Sequence, residues 1–286
     1  MSSTQTILIT GAGGQLGSEF RELSFGYPAY EFLFVTREEL AIDNVEALEL
    51  FFAANTIHYC VNCAAYTAVD KAESEKDLAL AINAAAVGNL AAICKKYNAG
   101  FIHFSTDYVF NGESREPYRA DDATSPVNFY GETKLQGELN ALKENDKSII
   151  IRTSWVYSSF GKNFVKTMLR LMGEKKSIGV VNDQFGCPTY AADLAAASMQ
   201  IITHADPVPG IYHYCNEGII NWYEFATAIK EIAASPCIVN GIPTSAYPTP
   251  AKRPAYSALN TEKIRSVFGI RIPVWKDSLE RCMKLM

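Results

Sequence analysis

The stretch ILITGAGGQLGSEF, Ile7 to Phe20, decides the fold. It opens on an apolar run rich in β-branched residues, the pattern of a buried strand. Gly11, Gly14 and Gly17 follow at intervals of three, and Leu16 and Phe20 then recur at helical spacing. Strand, glycine turn and helix in that order form a G-x-x-G-x-x-G cradle for a dinucleotide. The first glycine permits the tight turn, the second lets the backbone approach a pyrophosphate, and the third lets helix and strand pack closely. Free amides at the helix start face the phosphates. No Gly-Lys-Ser/Thr follows, so the loop is not of the triphosphatase type.

The same alternation continues outward. FLFVT (32–36), IHYCVN (57–62), GFIHFS (100–105) and SIIIRTS (148–154) read as strands, with helical patterns between them. One of these is a long Ala-rich helix from near Glu75 to Tyr97. Strands joined by helical crossovers pair in parallel, and continuous apolar strands are covered on both faces. The fold class is therefore α/β, a Rossmann-like doubly wound parallel sheet with a smaller C-terminal substrate domain. The expected division is residues 1–165 and about 190–215 for the dinucleotide-binding domain, and about 166–189 and 216–286 for the substrate-binding domain. GIPTSAYPTPAKRPAYSAL (241–259) is too rich in proline for regular structure and reads as a loop.

The bulk numbers exclude some functions. A chain of 286 residues, 48% hydrophobic and 20% charged, suits a globular protein with a sizeable core. Its net charge of −5 argues against binding nucleic acid or an anionic membrane. The N-terminus lacks the basic lead and apolar core of a secretion signal, and no uninterrupted apolar run is long enough to span a bilayer. A cytoplasmic location is expected. Seven dispersed cysteines suggest reduced thiols. The Cys60-x-x-Cys63 pair beside His58 has no second pair to complete a metal site, and it falls in a buried strand.

The chemistry is carried by two further stretches. FIHFSTDYVF ends a strand, so Ser105, Thr106, Asp107 and Tyr108 lie at the carboxyl edge of the sheet, where open α/β folds bind ligands. Tyr130 and Lys134 follow in NFYGETKLQGE, one helical turn apart on one face. Reduction of a carbonyl needs a hydride, a proton for the forming alkoxide and a polar contact to the oxygen. Tyr130 supplies the proton, and a neighbouring Lys134 ammonium is expected to bring its pKa down towards neutrality. The Thr106 hydroxyl supplies the polar contact. At the end of the second strand, Thr36 and Arg37 stand where an acidic residue usually binds the adenosine ribose. A cation there pairs with a 2′-phosphate, which favours NADPH and leaves NADH open.

These stretches resemble the extended short-chain dehydrogenase/reductases and, more narrowly, the dTDP-4-dehydrorhamnose reductases. The likeness runs nearly end to end, through TGAGGQLG, AAYTAVDKAESE, STDYVFNG, SPVNFYGETKLQGE, RTSWVY, NFVKTML, VVNDQFGCPTY and PTSAYPTPAKRP. TAVDKAESE and RTSWVY are the most specific. The resemblance implies reduction of the C4 ketone of a dTDP-linked 6-deoxyhexulose by NAD(P)H, giving dTDP-L-rhamnose. It places Tyr130 as proton donor beside Lys134, and Thr106 and Asp107, with Tyr108, against substrate. It adds Trp155 of RTSWVY as a substrate contact. Gly14, Gln15, Leu16, Ala65, Tyr66, Thr67 and Phe104 fall where the family lines its cofactor, as does Ile42.

Asn163, Lys252 and Arg253 become candidates for the pyrimidine and diphosphate. His103 and His213 read as core, and Trp222 as a helix-packing aromatic. Two departures stand out. The family's Asp-Ile pair is Ala41-Ile42 here, with the carboxylate absent or moved to Asp43, and Tyr256 stands where many relatives have Asn. The resemblance also allows Mg²⁺ and a homodimer, although no carboxylate cluster offers itself for a metal. Two rivals stay open: another nucleotide-sugar reductase or epimerase, and a regulatory subunit that binds dinucleotide without turnover.

Overall fold

The computed structural model describes residues 4–286. Twelve strands are assigned among them: β1 (Gln5–Thr10), β2 (Tyr30–Val35), β3 (Tyr59–Asn62), β4 (Gly100–Thr106), β5 (Ile149–Thr153), β6 (Val156–Tyr157), β7 (Ser177–Val181), β8 (Phe185–Gly186), β9 (Thr189–Tyr190), β10 (Gly210–His213), β11 (Ile220–Asn221) and β12 (Ile238–Ile242). The α-helices are α1 (Gln15–Ser24), α2 (Val45–Ala54), α3 (Val69–Ala72), α4 (Lys76–Leu80), α5 (Ala86–Lys96), α6 (Phe129–Glu144), α7 (Phe164–Glu174), α8 (Ala191–Ile202), α9 (Trp222–Ile232), α10 (Glu262–Phe268) and α11 (Trp275–Met283).

The central sheet has six strands in the order β10-β5-β4-β3-β1-β2, and every pairing in it is parallel. The chain runs outward from β1 to β2 and then returns to β3 on the other side of β1. That reversal opens a crevice at the carboxyl ends of β1 and β3, where a doubly wound sheet binds its ligand. One apolar layer, with Ile7, Ile9, Phe20, Leu194 and Tyr212, covers one face; a second, with Leu8, Leu48, Phe52, Val87 and Leu90, covers the other.

The long Ala-rich helix is interrupted. Between α4 and α5 one turn, Ala81–Ala85, is π-helical and carries the buried Asn83. The run Lys76–Lys96 is, by length and apolarity alone, long enough to cross a bilayer, contrary to the reading of the sequence. More than half of it is buried within the protein, which makes it a core helix.

A third core lies off the sheet, where Val165, Met168, Ile178, Phe225, Ile229 and Leu279 join α7, β7, α9 and α11. Strand β12 was not legible in the sequence: it pairs with β7 over five residues and takes Gly241 and Ile242 from the expected loop. The segment after it is irregular apart from one 3₁₀ turn, Thr244–Ala246. One further boundary moves. Ile264, Phe268, Ile270 and Ile272 belong to the sheet's own core beside Tyr212 and Tyr214, so α10 serves the sheet and not the expected substrate unit.

Candidate active site

The glycine turn is built as its spacing demands. Gly11 has φ +64°, and a Cβ there would meet the Ala64 backbone at 2.6 Å, so only glycine fits between β1 and the end of β3. Gly14 is the N-cap of α1, and Gly17 lies against Ala12 inside the helix. A cavity of about 410 Å³ opens beside the turn. Gly11, Gly14, Arg37, Ile42 and Ala65 line it together. Asp43 lines it too, which answers the departure at Ala41-Ile42: a carboxylate is present, one residue beyond the isoleucine. The glycine turn presents backbone to this cavity, and it suits a phosphate-bearing dinucleotide.

The other expected cofactor residues spread outward. Leu16 packs into the sheet core. Gln15 accepts a hydrogen bond from Asn163 Nδ2 at 2.9 Å. Tyr66 donates from its hydroxyl to Glu75 at 2.8 Å, its backbone is held at both ends by Asn83, and Thr67 is exposed. Phe104 is buried, and its carbonyl accepts from Lys134.

Strand β4 delivers Ser105, Thr106 and Asp107 buried at its carboxyl end. Helix α6 faces them. Asn128 caps the helix by accepting from Gly131 N at 2.8 Å, and its Nδ2 donates to the Lys252 carbonyl. A Cβ on Gly137 would stand 2.0 Å from the Asn83 carbonyl, so α6 lies directly on the π-turn. This seats Tyr130 near Thr106, whose hydroxyl donates to Asp107 Oδ1 at 3.1 Å, with its ring edge-on to Tyr108, centroids 6.1 Å apart. The proton donor and the oxyanion contact expected from sequence are thus brought together.

The electrostatics differ from expectation. Burial pushes the Tyr130 phenol above its ordinary pKa, with Asp107 adding to the rise and Thr106 opposing it. Lys134 does not offset this. Its Nζ turns away to the Phe104 carbonyl at 2.7 Å and to His103 Nε2 at 3.2 Å, and its own pKa falls to about 8 through burial. Asp107 is raised to about 7, chiefly by burial.

Of the expected substrate residues, only Arg253 lines a second cavity, of about 310 Å³. Arg253 lines the cavity with Phe164, Trp222 and Tyr247, while both oxygens of Asp70 hold its guanidinium at 2.9 and 3.0 Å. Two separated motifs, TAVDKAESE and AKRP, therefore meet in one ion pair. Trp155 has φ +48°, a strained backbone conformation, and stacks on Trp222 at 3.6 Å, with Gly186 so close that a Cβ there would stand 2.8 Å from the indole. Trp222 is accordingly more than a helix-packing aromatic, for it backs Trp155 and walls the cavity. Asn163 caps α7, and its amide is engaged by Lys166 N, Gln15 and the Ser158 carbonyl. Lys252 is exposed. Among the described residues no group of three His, Cys, Asp or Glu side chains could hold a metal ion.

Sequence reading missed Asn83, Asn62, Glu138 and Arg152. The Asn83 amide joins the Tyr66 backbone to Thr133 of α6, at 3.0 and 3.1 Å. Glu138 recurs four residues after Lys134, a signal that spacing could have given.

Fold and site together define a Rossmann-type protein of the short-chain dehydrogenase/reductase class. The chain matches the RmlD substrate binding domain family over residues 5–286 and belongs to that family. It is 41% identical over 284 residues to a dTDP-4-dehydrorhamnose reductase of Aggregatibacter actinomycetemcomitans, covering 96% of this chain and 97% of that one. The crystal structure of a dTDP-4-dehydrorhamnose reductase from Clostridium acetobutylicum matches with TM-score 0.95 at 40% identity, over 98% of this chain and 99% of the other. That of the Bacillus anthracis enzyme in complex with NADP also gives 0.95, at 37% identity, over 99% and 100%.

Proposed function

We propose that the protein reduces the C4 ketone of dTDP-4-dehydro-6-deoxy-L-mannose to give dTDP-L-rhamnose, as the names of its relatives indicate for them. The observation that carries the reading is the placement of Tyr130 near Thr106 at the carboxyl edge of the same sheet that carries the glycine cradle. A nicotinamide cofactor supplies the hydride when bound. Gly11, Gly14 and the start of α1 would hold its phosphates, Ile42 and Ala65 its adenosine side, and Lys134 its nicotinamide ribose. Thr106 holds the carbonyl oxygen, and Tyr130 gives it a proton as negative charge develops there. Arg253 takes the sugar nucleotide's diphosphate, for which a planar guanidinium is suited. Trp155, braced by Trp222, borders the sugar. In this reading the sheet unit handles the cofactor and the α7–α9–α11 unit the substrate.

The test is direct. The enzyme is mixed with the dTDP-ketosugar, made by the upstream enzymes, and oxidation of NADPH and NADH is followed. Absence of oxidation with either cofactor would sink the proposal and favour a binding subunit without turnover.

NADPH is the proposed preferred cofactor, on the strength of exposed Arg37 at the adenosine-side cavity. Arg37→Ala is expected to weaken NADPH by roughly 5- to 50-fold, about the worth of a charge-assisted hydrogen bond to phosphate. NADH should weaken much less. Equal weakening in a fluorescence titration would remove the 2′-phosphate contact.

A further inference from the structure

Behind Lys134 lies a polar chain that the reaction as described does not use. Thr10, Asn62 and His103 stand on adjacent strands β1, β3 and β4, and all three are buried. Thr10 Oγ1 donates to Asn62 Oδ1 at 2.7 Å, and the Ala64 backbone N–H donates to the same oxygen at 3.2 Å. A backbone N–H can only donate, so it fixes which way the Asn62 amide faces. Asn62 Nδ2 therefore donates to His103 Nδ1, at 3.0 Å.

His103 is neutral, because burial holds its pKa well below the ordinary histidine value. A neutral imidazole has one N–H and one bare nitrogen. With Nδ1 accepting from Asn62, the proton sits on Nε2, which is 3.2 Å from Lys134 Nζ. An N–H facing an ammonium would set donor against donor in a buried site. An uncharged amine resolves the conflict, since one N–H goes to the Phe104 carbonyl and the lone pair accepts from His103.

The other ionisable groups near Lys134 are Tyr130 and Glu138, one turn either way on α6. Glu138 raises the Lys134 pKa, but it is engaged by Arg152 of β5, and Asn62 of β3 carries no charge. Burial of Lys134 outweighs that attraction.

We infer that in mildly alkaline solution Lys134 rests as an uncharged amine hydrogen-bonded to His103 Nε2–H, and takes one proton from solvent when the ribose of a nicotinamide cofactor comes to lie beside it. A ribose hydroxyl offers an ammonium a second acceptor besides the Phe104 carbonyl. His103, Asn62 and Thr10 are positioning residues that set the charge of Lys134. The inference rests on the proposed cofactor site.

Calorimetry of NADPH binding in two buffers of different ionisation enthalpy tests it. The Tyr130→Phe enzyme is used so that no phenol titrates. Near pH 9, binding should take up about one proton, and near pH 7 close to none. Because the bound state holds the extra proton, affinity should fall by up to about tenfold per pH unit above about 8. Asn62→Asp is nearly isosteric. Its carboxylate would take a proton on His103 Nδ1, leaving Nε2 bare to accept from the ammonium. In that background (Asn62→Asp with Tyr130→Phe), uptake near pH 9 should fall towards zero.

Nitrogen-15 spectra read the tautomer of unliganded wild type without any substitution, and only four histidines need assignment. They should show His103 protonated on Nε2, and on Nδ1 in Asn62→Asp. NADPH binding near pH 9 with no buffer-dependent heat, or a bare Nε2 in wild type, overturns the inference. Failure to bind the cofactor at any pH overturns instead the reading of the cradle on which it rests.

Discussion

Tyr130→Phe is expected to lower turnover by about 10²- to 10⁴-fold, the usual contribution of a positioned general acid. Cofactor affinity should stay near the wild-type value. The substitution removes one hydroxyl and keeps the ring, so the edge contact with Tyr108 persists and α6 keeps its seat on the π-turn. What disappears is the proton that the phenol would give to the carbonyl oxygen. Burial raises the phenol's pKa, so Tyr130 holds its proton throughout the neutral range until the alkoxide forms. The measurements are kcat with the dTDP-ketosugar and a fluorescence titration with NADPH. Turnover equal to wild type would refute the proton-donor role. Loss of NADPH binding alongside turnover would point to a structural role for the hydroxyl.

How much of this was visible in the sequence follows from the range of the interactions. The crevice was legible because its parts are local: an apolar run, a glycine turn and a helix within Ile7–Phe20, and a strand end at Thr106. Tyr130 and Lys134 were legible because four residues on a helix define a face. What Lys134 touches was not. His103 reads as a core histidine, and its link to Asn62 spans 41 residues, while Thr10 reaches Asn62 across 52. No period in the sequence announces such contacts, because sheet order alone brings them together. The expected lysine effect on the tyrosine failed for the same reason, since the carbonyl and imidazole that capture Nζ belong to another strand. Strand β12 was hidden by a glycine within it and prolines just beyond it. Asp70 and Arg253, 183 residues apart, were each visible within a motif but not as a pair.

Helix α6 offers the second large effect. Tyr130, Lys134 and Glu138 recur every four residues on one face of it, and the third member anchors the other two. Glu138 takes Arg152 of β5 in a two-pronged pair, Nε to Oε1 at 2.9 Å and NH2 to Oε2 at 2.7 Å. The two side chains are 1% and 3% exposed, so neither charge has water to turn to. Glu138→Ala should therefore destabilise the fold by about 3–5 kcal/mol, the cost of leaving one partner of a buried pair uncompensated. The double variant Glu138→Leu with Arg152→Met should recover most of that loss, because it removes both buried charges and fills the space with apolar atoms. Stability and turnover then separate. The double variant should fold firmly yet turn over more slowly than wild type, since the salt bridge also fixes where α6, and with it Tyr130 and Lys134, rests on β4 and β5. Urea unfolding and kcat on the same preparations check both parts. A Glu138→Ala protein as stable as wild type would refute the anchoring role, and a double variant with full turnover would show that packing alone holds the helix in register.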